Sequence, residues 1–332
     1  MSVRLMLGGC AMSEMTYAEA ARLALREEMQ RDPLVWALGE DLGYEGGMAG
    51  QYKGLQAEFG EDRIVDTPIS ESTIMGAAVG AALAGTRPIA EMRFSDFAMC
   101  AVDELVNQAA KARYMFGGQG RVPMVARMPI GIRGGIAAQH SQSPEAWYTH
   151  VPGLVVVTPS TPANNRGLLK ASIRCDDPVV YMEHKGLWGL KGEVDESDDT
   201  ETALGVAEKV RAGDDLTIVS WSAQVGVALE AADLLAGDGI SAEVIDLRTL
   251  WPWDRDAVMA SAARTGKLLV VHEAVRVGGF GGEIAAEVAE ELGIPVARLG
   301  GERIPIPFSV PLEEAYKIKA DRIAARAREM LA

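Results

Sequence analysis

The chain has 332 residues, 48% of them hydrophobic and 24% charged, with a formal net charge of −15. This composition belongs to a globular protein long enough for two domains of typical size. So acidic a surface repels phosphate backbones and anionic lipid, which sets nucleic acid and membrane surfaces aside as partners.

Residues 1–14 read as an unstructured leader. Their "LGGC" resembles a lipoprotein cleavage site, but the apolar stretch before Cys10 is shorter than the roughly 7–15 residues of a signal core. The "TYAEAARLALREEMQRD" stretch opens with a capping box, Thr16 and Glu19, and continues with helical periodicity. Strands are predicted at "LVWALG", "RIVDTP", "RPIAEM", "VPMVARM", "LVVVTPS" and "PVVYMEH". Helices are predicted between them at "STIMGAAVGAALAG", "MCAVDELVNQAAKARYMF" and "TPANNRGLLKASIRC". Strand and helix in alternation imply a mostly parallel sheet with helices on both faces. This first α/β domain is placed at 15–192.

An acidic, apolar-poor segment, 193–203, reads as a linker. A second alternating set follows: "LTIVSW", "QVGVALEAADLLAG", "SAEVIDL", "DRDAVMASAART", "KLLVVHE" and "EIAAEVAEELG". With its amphipathic tail it makes a smaller α/β domain over 204–332. Cys10, Cys100 and Cys175 lie far apart, without CxxC or metal-ligand spacing, and read as reduced thiols of a cytoplasmic protein. No apolar run reaches the roughly 20 residues of a membrane-spanning helix.

Three features invite a chemical reading. In "DTPISES", Glu71 stands where a helix begins. It is either an ordinary first-turn acid, with Ser70 as N-cap, or a carboxylate with a task. In "GGIAAQHSQSPEAWYTHVPGL", His140 sits among Gln and Ser in a glycine-preceded loop, which suits proton transfer and turn capping equally. "GGFGGE" at 278–283 imitates a dinucleotide-binding turn. Its third position is Ile284 rather than a small residue, and the preceding strand ends too early, so nicotinamide binding is rejected.

Ordered blocks across residues 14–330 carry a family resemblance: "LGEDLGYEGG", "RIVDTPISES", "AGTRPIAEMRFSDF", "VNQAAKARYMFGGQ", "AAQHSQSPEAWYTHVPGL", "TPSTPANNRGLLKASIRCDDPVVYMEHK" and "EVIDLRTLWPWD". Together they resemble the β subunits of the thiamine-diphosphate-dependent 2-oxo acid and acetoin dehydrogenases. The resemblance implies a transketolase-like pyrimidine-binding domain followed by a transketolase C-terminal domain. It implies that Glu71 faces the cofactor's aminopyrimidine, that Phe97 stacks on that ring, and that His140 handles protons or orients the acyl intermediate during transfer to lipoamide. Without the resemblance Phe97 reads as a core phenylalanine at a strand-to-helix turn.

The same resemblance implies potassium bound through Met124, Ser172, Ile173, Cys175 and Asp177, although Cys175 stands where the family often has an acid. Its implied partners are an α chain, a second β chain, a lipoyl acyltransferase core and a 2-oxo acid or acetoin. "GDG" at 237–239 begins like the motif that holds magnesium on the diphosphate, but no asparagine follows Asn165 to complete the ligand set. Gly237–Gly239 therefore reads as a helix end and turn. The resemblance implies that the α chain supplies magnesium and the diphosphate site. Two other readings stay open: half of a split transketolase acting on a sugar, and a non-catalytic scaffold subunit. "AEELGIPVARLGG" is shorter than the family's usual stretch, which leaves the acyltransferase-docking surface undetermined.

Overall fold

The computed structural model describes residues 12–197 and 200–332, so the first eleven residues of the expected leader and two of the expected linker lie outside it. In chain order the first part runs β1 (Met12–Thr16), α1 (Tyr17–Arg31), β2 (Val35–Gly39), α2 (Leu55–Phe59), β3 (Ile64–Asp66), α3 (Glu71–Leu83) and β4 (Arg87–Glu91). It continues through α4 (Ala110–Met115), β5 (Val125–Arg127), α5 (Glu145–Thr149), β6 (Val155–Val157), α6 (Pro162–Arg174), β7 (Val179–Tyr181) and β8 (Lys191–Asp195). The capping box is formed: the Glu19 amide donates to Thr16 Oγ1 at 3.2 Å, and the Thr16 amide donates to Glu19 Oε2 at 2.8 Å. The helix predicted across 99–116 divides into a 3-10 turn (Phe97–Ala101), a π-type turn (Glu104–Ala109) and α4.

The second part comprises β9 (Glu208–Arg211), β10 (Leu216–Ser220), α7 (Gln224–Ala236), β11 (Ala242–Asp246), β12 (Thr249–Trp251) and α8 (Arg255–Thr265). Then come β13 (Leu268–Val275), α9 (Gly281–Leu292), β14 (Val296–Gly301), α10 (Val310–Tyr316) and α11 (Ala320–Leu331). Asp254 caps α8 by accepting from the Ala257 amide, and Gly266 and Gly293 end α8 and α9 in the left-handed conformation that glycine favours.

Three sheets result. One has the order β12-β6-β7-β5-β4-β2-β3 and is parallel except for β12; another has the order β14-β13-β10-β11-β9 and is parallel except for β9. The third is the antiparallel pair β1-β8, with Met12 opposite Asp195. Two readings are corrected by that pair. Residues 12–14, assigned to the leader, and 193–195, assigned to the linker, are strand. Their half-exposed, polar sequences carry no periodic apolar signal, and each forms only because the other is there.

β12 crosses between the domains. It follows β11 of the second sheet in the chain but pairs with β6 of the first, covering an otherwise open edge. Buried apolar side chains of both domains form one continuous cluster, in which Leu38, Met75 and Val180 share a core with Trp221, Leu250 and Phe280. The two domains are therefore packed as one body. No helix among the described residues is long and apolar enough to cross a membrane.

Candidate active site at the strand ends

The C-terminal ends of parallel strands leave backbone amides and loop side chains free to meet a ligand. Here β2, β3, β4, β5 and β7 end on the same side of the first sheet. Beyond β2, Glu40 and Asp41 face Arg93, which follows β4, at 4.0 and 3.3 Å. Asp66, at the end of β3 and the head of "DTPISES", accepts from the amides of Gly43 and Tyr44 at 2.7 and 3.1 Å. It thereby ties the β2 loop to the segment that delivers Glu71.

Glu71 opens α3. Ser70 occupies the N-cap position, but its hydroxyl donates to the Pro68 carbonyl at 3.0 Å and makes no cap bond to the helix. The Glu71 carboxylate is partly buried, and among the described residues no hydrogen-bond donor or cation meets it. Another acid lies within its electrostatic reach: Glu40 has its pKa raised by burial and then by Glu71. A carboxylate so placed has room for an external donor, and α3's small residues let the helix lie close along the turn bearing Phe97.

Phe97 and His140 meet. Their ring centroids are 5.1 Å apart, and Phe94 completes the cluster at 5.3 Å from Phe97 and 4.7 Å from His140, all edge to face. His140 has its ring partly buried in this cluster rather than capping a turn. Behind it, the Lys185 ammonium lies 5.3 Å from the Phe94 ring. Burial pushes its pKa down to about 8, and it finds no hydrogen-bond partner among the described residues. Deeper still, Arg127 is enclosed between Glu91, at 2.9 Å, and Glu183, which pins β4, β5 and β7 together. Burial lifts Glu91 to about 7 despite the guanidinium.

The residues expected to hold potassium do not form an open cage. One Arg87 guanidinium nitrogen donates to the carbonyls of Ile173, Arg174 and Cys175 at 3.1, 3.2 and 3.0 Å. Met124 gives its carbonyl to the Val179 amide, Ser172 its hydroxyl to Leu168, and Asp177 its carboxylate to Arg113. A second cation about 4 Å from Arg87 would meet roughly 4 kcal/mol of repulsion at an effective dielectric of 20. This donor set does not fit the ion. No group of three or more His, Cys, Asp or Glu able to hold a metal occurs among the described residues.

Reasoning from sequence missed Phe94, Glu40, Lys185 and the second-domain carboxylate Glu273, which receives His184 Nε2 at 3.0 Å. Phe94, Glu40 and Lys185 lie inside the blocks that carry the resemblance, so the signal for them was present. Glu273 gives none, because its partners are more than 85 residues away.

Comparison with known proteins identifies the lineage. The family model "Transketolase, pyrimidine binding domain" matches residues 13–190, and "Transketolase, C-terminal domain" matches 205–323. The 2-oxoisovalerate dehydrogenase subunit beta of Bacillus subtilis is 45% identical over 327 residues, covering 96% of this chain and 99% of that one. The chain belongs to the beta subunits of the 2-oxo acid and acetoin dehydrogenases. The acetoin:2,6-dichlorophenolindophenol oxidoreductase subunit beta of Cupriavidus necator is 46% identical, covering 93% of this chain and 95% of that one. The mitochondrial pyruvate dehydrogenase E1 component subunit beta-2 of Oryza sativa is 44% identical, with 96% and 86% covered. A solved structure described as a split gene transketolase, inactive beta4 tetramer, superposes with TM-score 0.80 at 27% identity over 96% of this chain and 98% of that one. As a dehydrogenase beta subunit the chain is an oxidoreductase component that requires a separate alpha chain. The family is thiamine-diphosphate-dependent.

Proposed function

We propose that this beta subunit, with an alpha chain, cleaves a 2-oxo acid or acetoin and passes the acyl group to lipoamide on an acyltransferase core. The observation that carries the proposal is Glu71: a carboxylate without a partner among the described residues, heading the helix that packs on the Phe97 turn. Bound thiamine diphosphate supplies a nucleophilic thiazolium carbon. Glu71 holds a proton at the pyrimidine ring nitrogen through a charge-assisted bond. Phe97, with Phe94 beside it, offers the apolar face on which that ring rests. His140 holds or moves a proton at the incoming lipoyl sulfur.

Partnership is supported by what the chain lacks and exposes. It has no asparagine after Asn165 to complete a magnesium–diphosphate motif, so we assign magnesium to the alpha chain. Ile69 and Tyr44, beside the site, are 79% and 86% exposed. Tyr114, Met115 and Phe116 are exposed next to an apolar cavity of about 900 Å³ lined by Gly118, Pro152 and Trp251. Surface of this kind belongs at subunit contacts, and we assign it to the alpha chain and a second beta chain. Free Cys100 and Cys175 agree with a cytoplasmic location. We infer no potassium requirement, because Arg87 already meets the carbonyls of Ile173 and Cys175. The split-transketolase reading is weaker, resting on 27% identity against 44–46% for the dehydrogenase subunits. The scaffold reading leaves Glu71, Phe97 and His140 together without a purpose.

Calorimetry tests the proposal. The chain alone should bind thiamine diphosphate and magnesium weakly or undetectably. Mixed with its alpha chain it should bind both and turn over one member of a panel of 2-oxo acids and acetoin. Tight magnesium-dependent binding to the isolated chain would sink the split-site reading.

A further inference from the structure

We propose that the C-terminal domain sets the position of the His140 loop through two carboxylates, Glu273 and Glu313, which are positioning residues for acyl transfer. The proposal rests on the functional reading above for the step involved, but not for the geometry.

The loop runs from Gly131 to Pro144 without regular structure. Gly131, Gly134, Gly135 and Ala137 all have positive φ, from +66 to +88°. Such a segment has amide groups that no helix or sheet satisfies, so its shape is set by whatever receives them. Two of the receivers belong to the other domain. Glu273 Oε1, on β13, accepts from the Ile132 amide at 2.9 Å and from Ser143 Oγ at 3.2 Å, taking both ends of the loop. Glu313 Oε2, on α10, accepts from the Gly135 amide at 2.6 Å. Within the first domain the loop is closed at its base by the Gly131 amide on the Gln142 carbonyl, at 3.0 Å, and held by Gln142 Nε2 on Asp96 at 2.8 Å.

The same Glu273 oxygen receives His184. Because the Gly186 amide donates to His184 Nδ1 at 3.0 Å, that nitrogen carries the lone pair and Nε2 carries the hydrogen given to Glu273, also at 3.0 Å. Three donors, two from the loop and one from His184, thus converge on one oxygen. Burial alone would raise the Glu273 pKa, yet His184, the Ile132 amide and Ser143 hold it below the usual carboxylate range. An ionised acceptor makes shorter and stronger bonds than a neutral one. Between its two anchors the loop presents the His140 ring to Phe94 and Phe97. Glu273 also lines a cavity of about 800 Å³ between the domains, with Gln139, Gln142 and Arg303.

The alternative is that Glu273 merely glues the domains together, as the Trp221 indole does by donating to Glu145 at 2.9 Å. Two variants separate these roles, Glu273→Ala and Glu273→Gln, with Ser160→Ala as a control that loosens the seam where the Ser160 hydroxyl donates to Asp246, neither of which bonds to the loop among the described residues. Hydrogen exchange on the full chain is the first readout, and it needs no substrate. Glu273→Ala should raise exchange across 131–144, Glu273→Gln should restore most protection because it keeps an acceptor oxygen, and Ser160→Ala should leave the loop unchanged.

In the enzyme reconstituted with its alpha chain, Glu273→Ala should lower lipoamide-dependent turnover by about 10- to 100-fold, the scale of a misplaced reacting group. Decarboxylation with an artificial acceptor should stay within about threefold. Glu313→Ala should shift both readouts the same way, and it serves independently if Glu273→Ala does not fold. Unchanged loop exchange in both Glu273→Ala and Glu313→Ala overturns the proposal, as does an equal loss of protection and turnover in Ser160→Ala. If wild type turns over no 2-oxo acid or acetoin, the functional reading fails, and loop exchange decides the positioning claim alone.

Discussion

At the residue scale, Glu71 combines partial burial with the absence of any partner among the described residues. Its carboxylate lies near Glu40, whose proton it helps retain. Glu71→Gln therefore removes a repulsion and no native bond. In the reconstituted enzyme, product formation should fall by about 10² or more, the scale of a lost acid/base group, while thermal stability of the chain stays level or rises. Activity within a few-fold of wild type would return Glu71 to an ordinary first-turn acid. His140→Ala divides the reaction instead. Lipoamide-dependent turnover should fall further than decarboxylation measured with an artificial oxidant, because only lipoamide must be protonated as its disulfide opens. Equal losses in the two assays would move His140 to carbon–carbon cleavage. Glu71, Phe97 and His140 were legible because they sit inside distinctive local blocks. The fit of the potassium residues was not, since it depends on where the Arg87 guanidinium points.

At the element scale, alternation of apolar strands and periodic helices made both parallel sheets readable in advance. The strands missed were β1 and β8, whose pairing spans most of the first domain, and β9, β12 and β14, which are short or partly exposed. The "GGFGGE" turn shows what its glycines serve. A Cβ on Gly279 or Gly281 would lie 2.6 or 2.7 Å from His272, and one on Gly300 would lie 2.8 Å from it. His272 fills that cradle and stacks on Trp221 with centroids 5.1 Å apart. Burial drives its pKa down to about 4, so it stays neutral against the indole. Gly281→Ala should push His272 off the stack and cost about 1–3 kcal/mol, the usual range for overpacking. A denaturant midpoint equal to wild type would show that the turn has slack.

At the scale of the whole molecule, the two domains share a core, and the seam between them carries a pH signature. Burial lifts Glu145 to about 7, with the Trp221 indole donating to one oxygen and the other unpaired among the described residues. In the unfolded chain this group loses its proton near pH 4.5. Between that value and about 7 the folded state therefore holds a proton that the unfolded state does not, and stability falls as pH rises through the window. Glu145→Gln stays neutral throughout. Its melting temperature should gain on wild type between pH 5 and pH 8, by a margin worth up to roughly 3 kcal/mol. A gap that does not change with pH would show that Glu145 keeps an ordinary pKa. The strand β12 carries a different consequence, for anyone who divides the protein into pieces. A fragment ending at residue 197 would retain every catalytic candidate yet leave β6 with a bare row of amides and carbonyls where β12 paired with Val156 and Val157. Such an edge recruits any strand it meets. The fragment should come out of cells as aggregate, whereas adding residues 204–332 as a separate polypeptide should recover soluble material by supplying the missing strand from outside.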